Sequence, residues 1–130
     1  MADLNVGDKV DELSVTPGKY QPHIYAGASG DFNPIHIDPE FAKMVGLPSN
    51  ILHGLYSMGL VARANAAVAG GDPRALKRLS VQFRGMGMPE QEIVVSGTVK
   101  SVDGDRVIID TVATQGEAAI IKNAEAEVQL

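Results

Sequence analysis

Cysteine is absent from the 130 residues of this chain. The protein can therefore form no disulfide, no thiolate metal site and no cysteine nucleophile. The first ten residues, MADLNVGDKV, also lack the basic stretch and apolar run of a signal peptide. No uninterrupted apolar run reaches the length of a membrane span. We therefore expect a soluble, cytoplasmic protein.

Positive charge is scarce as well: 11 lysines and arginines stand against 16 aspartates and glutamates, which gives a net charge of −5. Because no basic run offsets this balance, nucleic acid is not an expected partner. The basic residues include one loose cluster, made of Arg74, Lys77, Arg78 and Arg84. This cluster can receive a phosphate-bearing ligand or, alternatively, form a solvated face.

The remaining composition, 45% hydrophobic and 21% charged residues, is that of a globular protein. At this length we expect a single domain over residues 1–130. A short strand is predicted within residues 11–16, before the break at Pro17-Gly18. A short helix is predicted over residues 39–45, with Asp38 as its N-cap and Gly46 as its stop.

The strongest helical pattern covers residues 49–69, SNILHGLYSMGLVARANAAVA. Ser49 or Asn50 can cap its start, and the glycines at 70 and 71 end it. Arg63 is its only charged residue, and apolar residues lie on nearly every face, which predicts a helix buried on all sides. Its internal glycines lower helical propensity, so each is expected to permit a close approach or to expose the backbone.

From residue 76 onward, apolar residues recur with a period of two, which is typical of strands. Four such segments cover residues 76–85, 92–102, 105–114 and 118–130, with turn signals at Asp103-Gly104 and Gln115-Gly116-Glu117. The pattern predicts an antiparallel meander in an α+β fold, with the sheet curled around the buried helix. Since one sheet covers only one side of a helix, we expect a dimer whose sheets pair edge to edge.

The segment YAGASGDFNPIHID, residues 25–38, has a composition that favours a loop over a helix or a strand. Pro34 bends it, so that Asp31 and His36 can point into one pocket. A carboxylate and an imidazole are a competent general acid/base pair and can hold a water molecule between them. Asn33 can fix the loop or orient a partner. The alternative is a polar loop in which Asp31 and Asn33 cap turns and His36 lies on the surface.

Several further residues admit both a functional and a structural interpretation. Gly54, near the start of the long helix, can offer a free N–H that stabilises an enolate, or it only permits close packing. Ser57 is a candidate pocket contact or a plain core serine. His36, Asp38 and His53 have the residue types of a two-histidine, one-carboxylate metal site; alternatively, His53 packs against or caps the helix.

YAGASGDFNPIHID followed by FAKMVGLPSNILHGLYSMGL resembles the MaoC-like, hydratase 2 family of (R)-specific enoyl-thioester hydratases and dehydratases. The family pattern is a Ser-Gly-Asp-x-Asn-Pro-x-His core followed by His-Gly, and both parts stand here in order. The C-terminal half, with GGDPRALKRLSVQFRGMGMP, is similar to the catalytic subunit of actinobacterial (3R)-hydroxyacyl-ACP dehydratases.

The resemblance implies a hot-dog fold, in which an antiparallel sheet wraps around one long central helix. It implies that Asp31 and His36 are the catalytic dyad, that Asn33 supports them and that the Gly54 amide binds the thioester carbonyl. Ser29 also matches a motif position. The resemblance implies no metal and no organic cofactor, an acyl-CoA or acyl-ACP substrate, and a homodimer or a heterodimer with a related hot-dog subunit.

Three functions follow as hypotheses. The first is a lyase that hydrates trans-2-enoyl thioesters reversibly in fatty-acid metabolism. The second is a hot-dog thioesterase, which needs a carboxylate on the helix; residues 54–69 contain neither aspartate nor glutamate. The third is a non-catalytic subunit that binds acyl thioesters, against which the intact Asp31 and His36 argue.

Overall fold

A five-stranded antiparallel sheet wraps around one long helix in the computed structural model, which describes residues 3–130. The strands run in the order β1-β3-β4-β5-β2 across the sheet. Their bounds are β1 Leu13–Val15, β2 Leu76–Phe83, β3 Ile93–Asp103, β4 Arg106–Gln115 and β5 Ala118–Gln129. The long helix, α4 (Gly54–Ala67), packs against β2, β3, β4 and β5. A sheet wrapped around one central helix is the hot-dog fold.

The predicted meander is confirmed for three of the strands. β3 pairs with β4, and β4 pairs with β5, through tight turns at Gly104 and Gly116, whose φ angles are +62° and +58°. β2 departs from the prediction, because it pairs with β5 at the far edge of the sheet and not with β3. Residues 84–92 then carry the chain back from β2 to β3, a long-range choice that local alternation cannot encode.

Helix α4 is buried along one stripe, so the prediction of burial on all sides is wrong for this chain. Its buried residues recur at helical spacing and include Ser57, Leu60, Val61, Ala64 and Asn65. Leu55 is 61% exposed on another face, and Gly59 and Arg63 are exposed as well. The physical reason is that the single sheet of one chain covers a helix on one side only.

The start of α4 also differs from the prediction, since neither Ser49 nor Asn50 caps it. The helix begins at Gly54, and His53 occupies the N-cap position without a side-chain capping bond. Asn50 is buried and donates instead to the main-chain carbonyl of His36 at 2.9 Å. A tertiary contact has therefore taken the amide that local chemistry would have used as a cap.

The polar run is more helical than predicted. Helix α1 (Gln21–Ser29) and the single-turn helix α2 (Pro34–Ile37) leave only residues 30–33 and Asp38 of this run outside helices. Proline stands at the start of both helices, where its missing N–H is not needed. Ala26, on the inner face of α1, has no exposed surface. Gly30 ends α1 with a φ of +80°, the left-handed conformation that glycine adopts readily.

Two short elements are confirmed near their predicted bounds: β1 and the helix α3 (Pro39–Met44). Asp38 is the N-cap of α3, because its Oδ1 accepts from the N–H groups of Glu40 at 3.0 Å and Phe41 at 3.2 Å. Gly46 follows the helix with a φ of +95°. None of the helices found between residues 3 and 130 is both long and apolar enough to cross a bilayer.

We expect Asp38→Ala to lower the free energy of unfolding by about 1 kcal/mol, because two N–H groups lose their acceptor. Urea unfolding followed by circular dichroism measures the change. Asp38→Asn is the matched control, since asparagine caps helices as well as aspartate does. An equal loss in both variants would contradict a capping role for this residue.

Candidate active site

The loop that carries Asp31 is held by three side-chain acceptors in series. Ser29 Oγ accepts from the N–H of Asp31 at 3.2 Å, and Asp31 Oδ1 accepts from the N–H of Asn33 at 3.1 Å. Asn33 Oδ1 accepts in turn from the N–H of Ile35 at 3.2 Å and so caps α2. Such local bonds fix a loop whose main chain lacks the regular hydrogen bonds of a helix or sheet.

The segment before α4 is bonded to α2 through main chain and side chain together. Ile51 N–H donates to the Ile35 carbonyl at 3.0 Å, and Asn50 Nδ2 donates to the His36 carbonyl at 2.9 Å. The Ile51 carbonyl lies 2.8 Å from His36 Nδ1. Because a carbonyl oxygen only accepts, His36 Nδ1 carries a hydrogen, and in the neutral ring Nε2 keeps its lone pair.

That Nε2 atom faces the carboxylate of Asp31. The distance from His36 Nε2 to Asp31 Oδ2 is 3.9 Å, which is too long for a direct hydrogen bond. It is a span that one water molecule can bridge, donating one hydrogen to each acceptor. The His36 side chain is 11% exposed and that of Asp31 is 54% exposed, so the pair has one buried and one open member.

His53 lies against both members of this pair. Its Nε2 donates to the Asp31 carbonyl at 2.9 Å, and its ring stacks on that of His36 with centroids 3.8 Å apart and planes inclined by 20°. The residue is 3% exposed. The sequence-based interpretation of a packed residue is therefore confirmed, whereas its contact with the dyad was not predicted. Tyr25 also contacts the His53 ring, at a centroid distance of 4.8 Å.

A small cavity of about 160 Å³ opens beside His36. Gly54 and Ser57 share its wall with His36. The rest of the wall is mostly apolar and comprises Ile51, Leu52, Phe83, Gly85, Met86, Gly87, Ile120 and Ile121. Three of the predicted site residues thus meet in one cavity. Asp31, Asn33 and Ser29 are not part of the wall. The Asp31 carboxylate lies beside the His36 ring, and Asn33 and Ser29 bond to the main chain of the loop.

The position of Gly54 fits the packing role, and its enolate-binding role stays a prediction. As the first residue of α4, it presents an N–H at the positive end of the helix dipole, where the main chain supplies no intrahelical acceptor. A Cβ at this position would lie 3.0 and 3.1 Å from two ring carbons of Phe83, which is tighter than ordinary contact. The absence of a side chain therefore serves packing and leaves the amide open to a ligand.

The metal hypothesis changes its ligands and then meets a geometric obstacle. Asp38 is occupied as a helix cap, while ligand atoms of Asp31, His36 and His53 lie within 4.8 Å of one another. Both rings already donate one N–H to a carbonyl, and the rings are stacked nearly parallel. The free nitrogens, His36 Nε2 and His53 Nδ1, have their lone pairs in two nearly parallel ring planes. Such lone pairs cannot both point at one ion.

The basic cluster comes next to this cavity only at Arg84, which stands in the chain between the wall residues Phe83 and Gly85. All four of its residues are exposed, and none belongs to the cavity wall. Arg74 donates to both carboxylate oxygens of Asp72, at 3.0 and 3.1 Å, and Arg84 donates to Gln82 Oε1. Asp72 neutralises Arg74, whereas Gln82 is uncharged; the exposure of all four residues favours the solvated face over a phosphate site.

Three contributors have roles that sequence reasoning did not predict: Phe83 was not singled out, Asn50 was expected only as a cap, and His53 only as a metal ligand or as a packed or capping residue. A polar amide inside the apolar stretch SNILHG is a signal that Asn50 has a partner, but the sequence does not say which.

Tyr56, near the start of α4, has its pKa raised by burial, an effect that Arg63 opposes. Its phenol is therefore protonated at neutral pH and does not act as a base.

The sequence matches the MaoC like domain family over residues 4–120. It is 43% identical over 84 residues to the peroxisomal enoyl-CoA hydratase 2 of Arabidopsis thaliana, which covers 64% of this chain and 26% of that protein. The chain spans about a quarter or less of the length of the first curated relatives that it matches.

Solved structures agree with this match. A MaoC-like dehydratase superposes with a TM-score of 0.92 at 33% identity, over 98% of this chain and 41% of that one. The (R)-hydratase from A. caviae involved in PHA biosynthesis superposes with a TM-score of 0.81 at 26% identity, over 100% of this chain and 99% of that one. The motif, the wrapped sheet and these matches together show that the chain belongs to the MaoC-like dehydratase family and has its hot-dog fold.

Proposed function

We propose that this chain is a hydro-lyase that adds water reversibly to trans-2-enoyl thioesters and forms (3R)-hydroxyacyl thioesters in fatty-acid metabolism. The observation that carries the proposal is the His36–Asp31 pair, with Nε2 and Oδ2 3.9 Å apart, beside a cavity that also exposes Gly54. Relatives named enoyl-CoA hydratase 2 and (R)-hydratase support it.

The proposed chemistry follows from which atoms accept. His36 Nε2 and the Asp31 carboxylate both accept, so a water between them donates both hydrogens and turns a lone pair outward. That lone pair attacks C3 of the enoyl thioester while one water proton passes to the dyad. The C2=C3 electrons move to the carbonyl oxygen, and C2 then takes a proton from the dyad. The net change is addition of hydrogen at C2 and hydroxyl at C3.

Gly54 has the complementary role in this proposal. Its N–H donates to the thioester oxygen, on which negative charge develops as C3 is attacked. The dipole of α4 favours that charge in the same place. Loss of one such donor commonly costs about 3 kcal/mol of transition-state stabilisation. Ser57, on the cavity wall, is proposed as a polar contact to the bound thioester.

We expect Asp31→Asn and His36→Gln each to lower kcat for hydration of crotonyl-CoA by about 10²- to 10⁴-fold, because each removes half of the acid/base pair. The loss of enoyl absorbance measures the rate, and circular dichroism checks the fold. Asp38→Asn and His23→Gln are matched controls outside the pair, and both should retain activity. A wild-type rate in either dyad variant would reject the assignment.

We expect Gly54→Ala to slow hydration by about 10- to 100-fold, because a Cβ keeps the thioester from the amide. The added methyl also presses on Phe83, so packing must be separated from approach. If approach is the cause, the loss persists in the Gly54→Ala/Phe83→Ala double variant. Recovery of the rate in that variant would assign the glycine to packing alone. Gly27→Ala, a helical glycine with open space around it, is the control.

The thioesterase hypothesis gains no support, because α4 carries no carboxylate over Gly54–Ala67. A thiol reagent added to the same assay separates the functions, since hydration consumes the double bond without releasing free CoA. A chain that binds acyl thioesters but turns over neither reaction would be the non-catalytic subunit of the third hypothesis.

We also propose that residues 1–130 act as one unit that pairs with a second hot-dog subunit along β2. β2 is an eight-residue edge strand, whereas the opposite edge strand, β1, has three residues. Leu55 and Phe83, next to this edge, are 61% and 52% exposed.

The proposed substrate is an acyl group carried on CoA or on a carrier protein. A cytoplasmic location stays a prediction.

We expect sedimentation equilibrium to give twice the 13.7 kDa of one chain, or that mass only after a related subunit is added. Leu55→Asp should return the species to a folded monomer, because the charge would be buried in the interface. Val102→Asp, another exposed apolar residue, on the β3–β4 hairpin, is the control and should not change the mass. An unchanged dimer in Leu55→Asp would place the interface elsewhere.

A further inference from the structure

We infer that His53 is a positioning residue that holds both members of the dyad in place without itself transferring a proton in the reaction, an inference that rests on the proposed hydration. Its two contacts join residues that come from different elements. The Nε2–H bond fixes the Asp31 carbonyl at 2.9 Å, and the ring lies 3.8 Å from that of His36. One side chain therefore limits movement of the loop and tilt of the imidazole together.

The other nitrogen of His53 indicates that packing alone does not explain the residue. Within residues 3–130, His53 Nδ1 is the one buried side-chain nitrogen or oxygen that has no hydrogen-bond partner. Burial of an unpaired polar atom lowers stability, and an apolar ring of similar size would avoid that loss. A position chosen for packing would therefore not need histidine.

The same atom decides which form of His53 fits the site. With the hydrogen on Nε2, the ring satisfies the Asp31 carbonyl and leaves only a lone pair buried. A second hydrogen, on Nδ1, would be buried without an acceptor. With a hydrogen on Nε2 alone, His53 places no positive charge beside His36, on which a cation forms when it takes a proton from water.

Two substitutions separate the contacts of His53. His53→Phe keeps a ring against His36 but removes the donor to Asp31. His53→Gln keeps a donor at a similar reach but removes the ring. We expect each to lower kcat for enoyl-CoA hydration by about 10- to 100-fold through misplacement of the dyad, with KM changed less than about 3-fold. His53→Phe should unfold at a temperature close to that of the wild type, because loss of the bond to Asp31 lowers stability and removal of the buried unpaired nitrogen raises it.

The matched controls are His23→Phe and His23→Gln. His23 also donates a ring N–H to a main-chain carbonyl, that of Ile37, but it is exposed and touches neither dyad side chain. Both controls should keep the wild-type kcat.

A spectroscopic readout tests the positioning without turnover. Nitrogen-15 NMR of the imidazoles should report one His36 tautomer, with hydrogen on Nδ1, in the wild type. In His53→Gln the His36 ring is free to tilt away from the Ile51 carbonyl that fixes its tautomer, and the spectrum should then report a mixture. A single unchanged tautomer in that variant together with wild-type kcat in both variants would overturn the inference. So would a fall of kcat and thermal stability together in His53→Phe, since that result describes a structural residue. Absence of hydration by the wild type would instead reject the proposed function, whatever the NMR result.

Discussion

The site depends on the set of hydrogen bonds that joins residues 50–53 to α2 and its preceding loop. Asn50, Ile51 and His53 bond to the main chain or ring of residues far away in sequence, at 2.8 to 3.0 Å. These bonds set where α4 begins, and so where the first free N–H of the helix lies. The same bonds set the tautomer of His36. Two groups with separate tasks are therefore held in a fixed relation by one short segment.

The sheet and its turns were largely predictable, because alternation and turn chemistry are local. Prediction of the strands from residue 76 onward, and of the hairpins at Gly104 and Gly116, needed information only from residues that are neighbours in sequence. The place of β2 beside β5 was not predictable, since both edges offer it the same backbone partners. The overestimate of burial on α4 has a similar cause: composition records how apolar a helix is, not how many of its faces one chain can cover.

The candidate site divides in the same way. Asp31, His36 and Gly54 were candidates from residue type and spacing, and the family resemblance gave them their roles; the cavity brings His36 and Gly54 together. Their support could not be predicted, because Asn50 and His53 act through tertiary contacts. The helix over residues 21–29 was missed because its glycine and serine content masks a well-placed proline and a buried alanine. Small residues weaken a helical pattern, yet they allow the tight packing of α1.

The bond from His36 Nδ1 to the Ile51 carbonyl has a consequence for proton movement in the proposed reaction. Because Nδ1 is held by this bond, the His36 ring cannot flip and release a proton to solvent from that nitrogen. Any proton that Nε2 gains must leave again from Nε2, on the side of the ring that faces the half-exposed Asp31 carboxylate. The base is then regenerated at the same atom that accepted the proton, and the nitrogen bonded to Ile51 relays no proton in the proposed reaction.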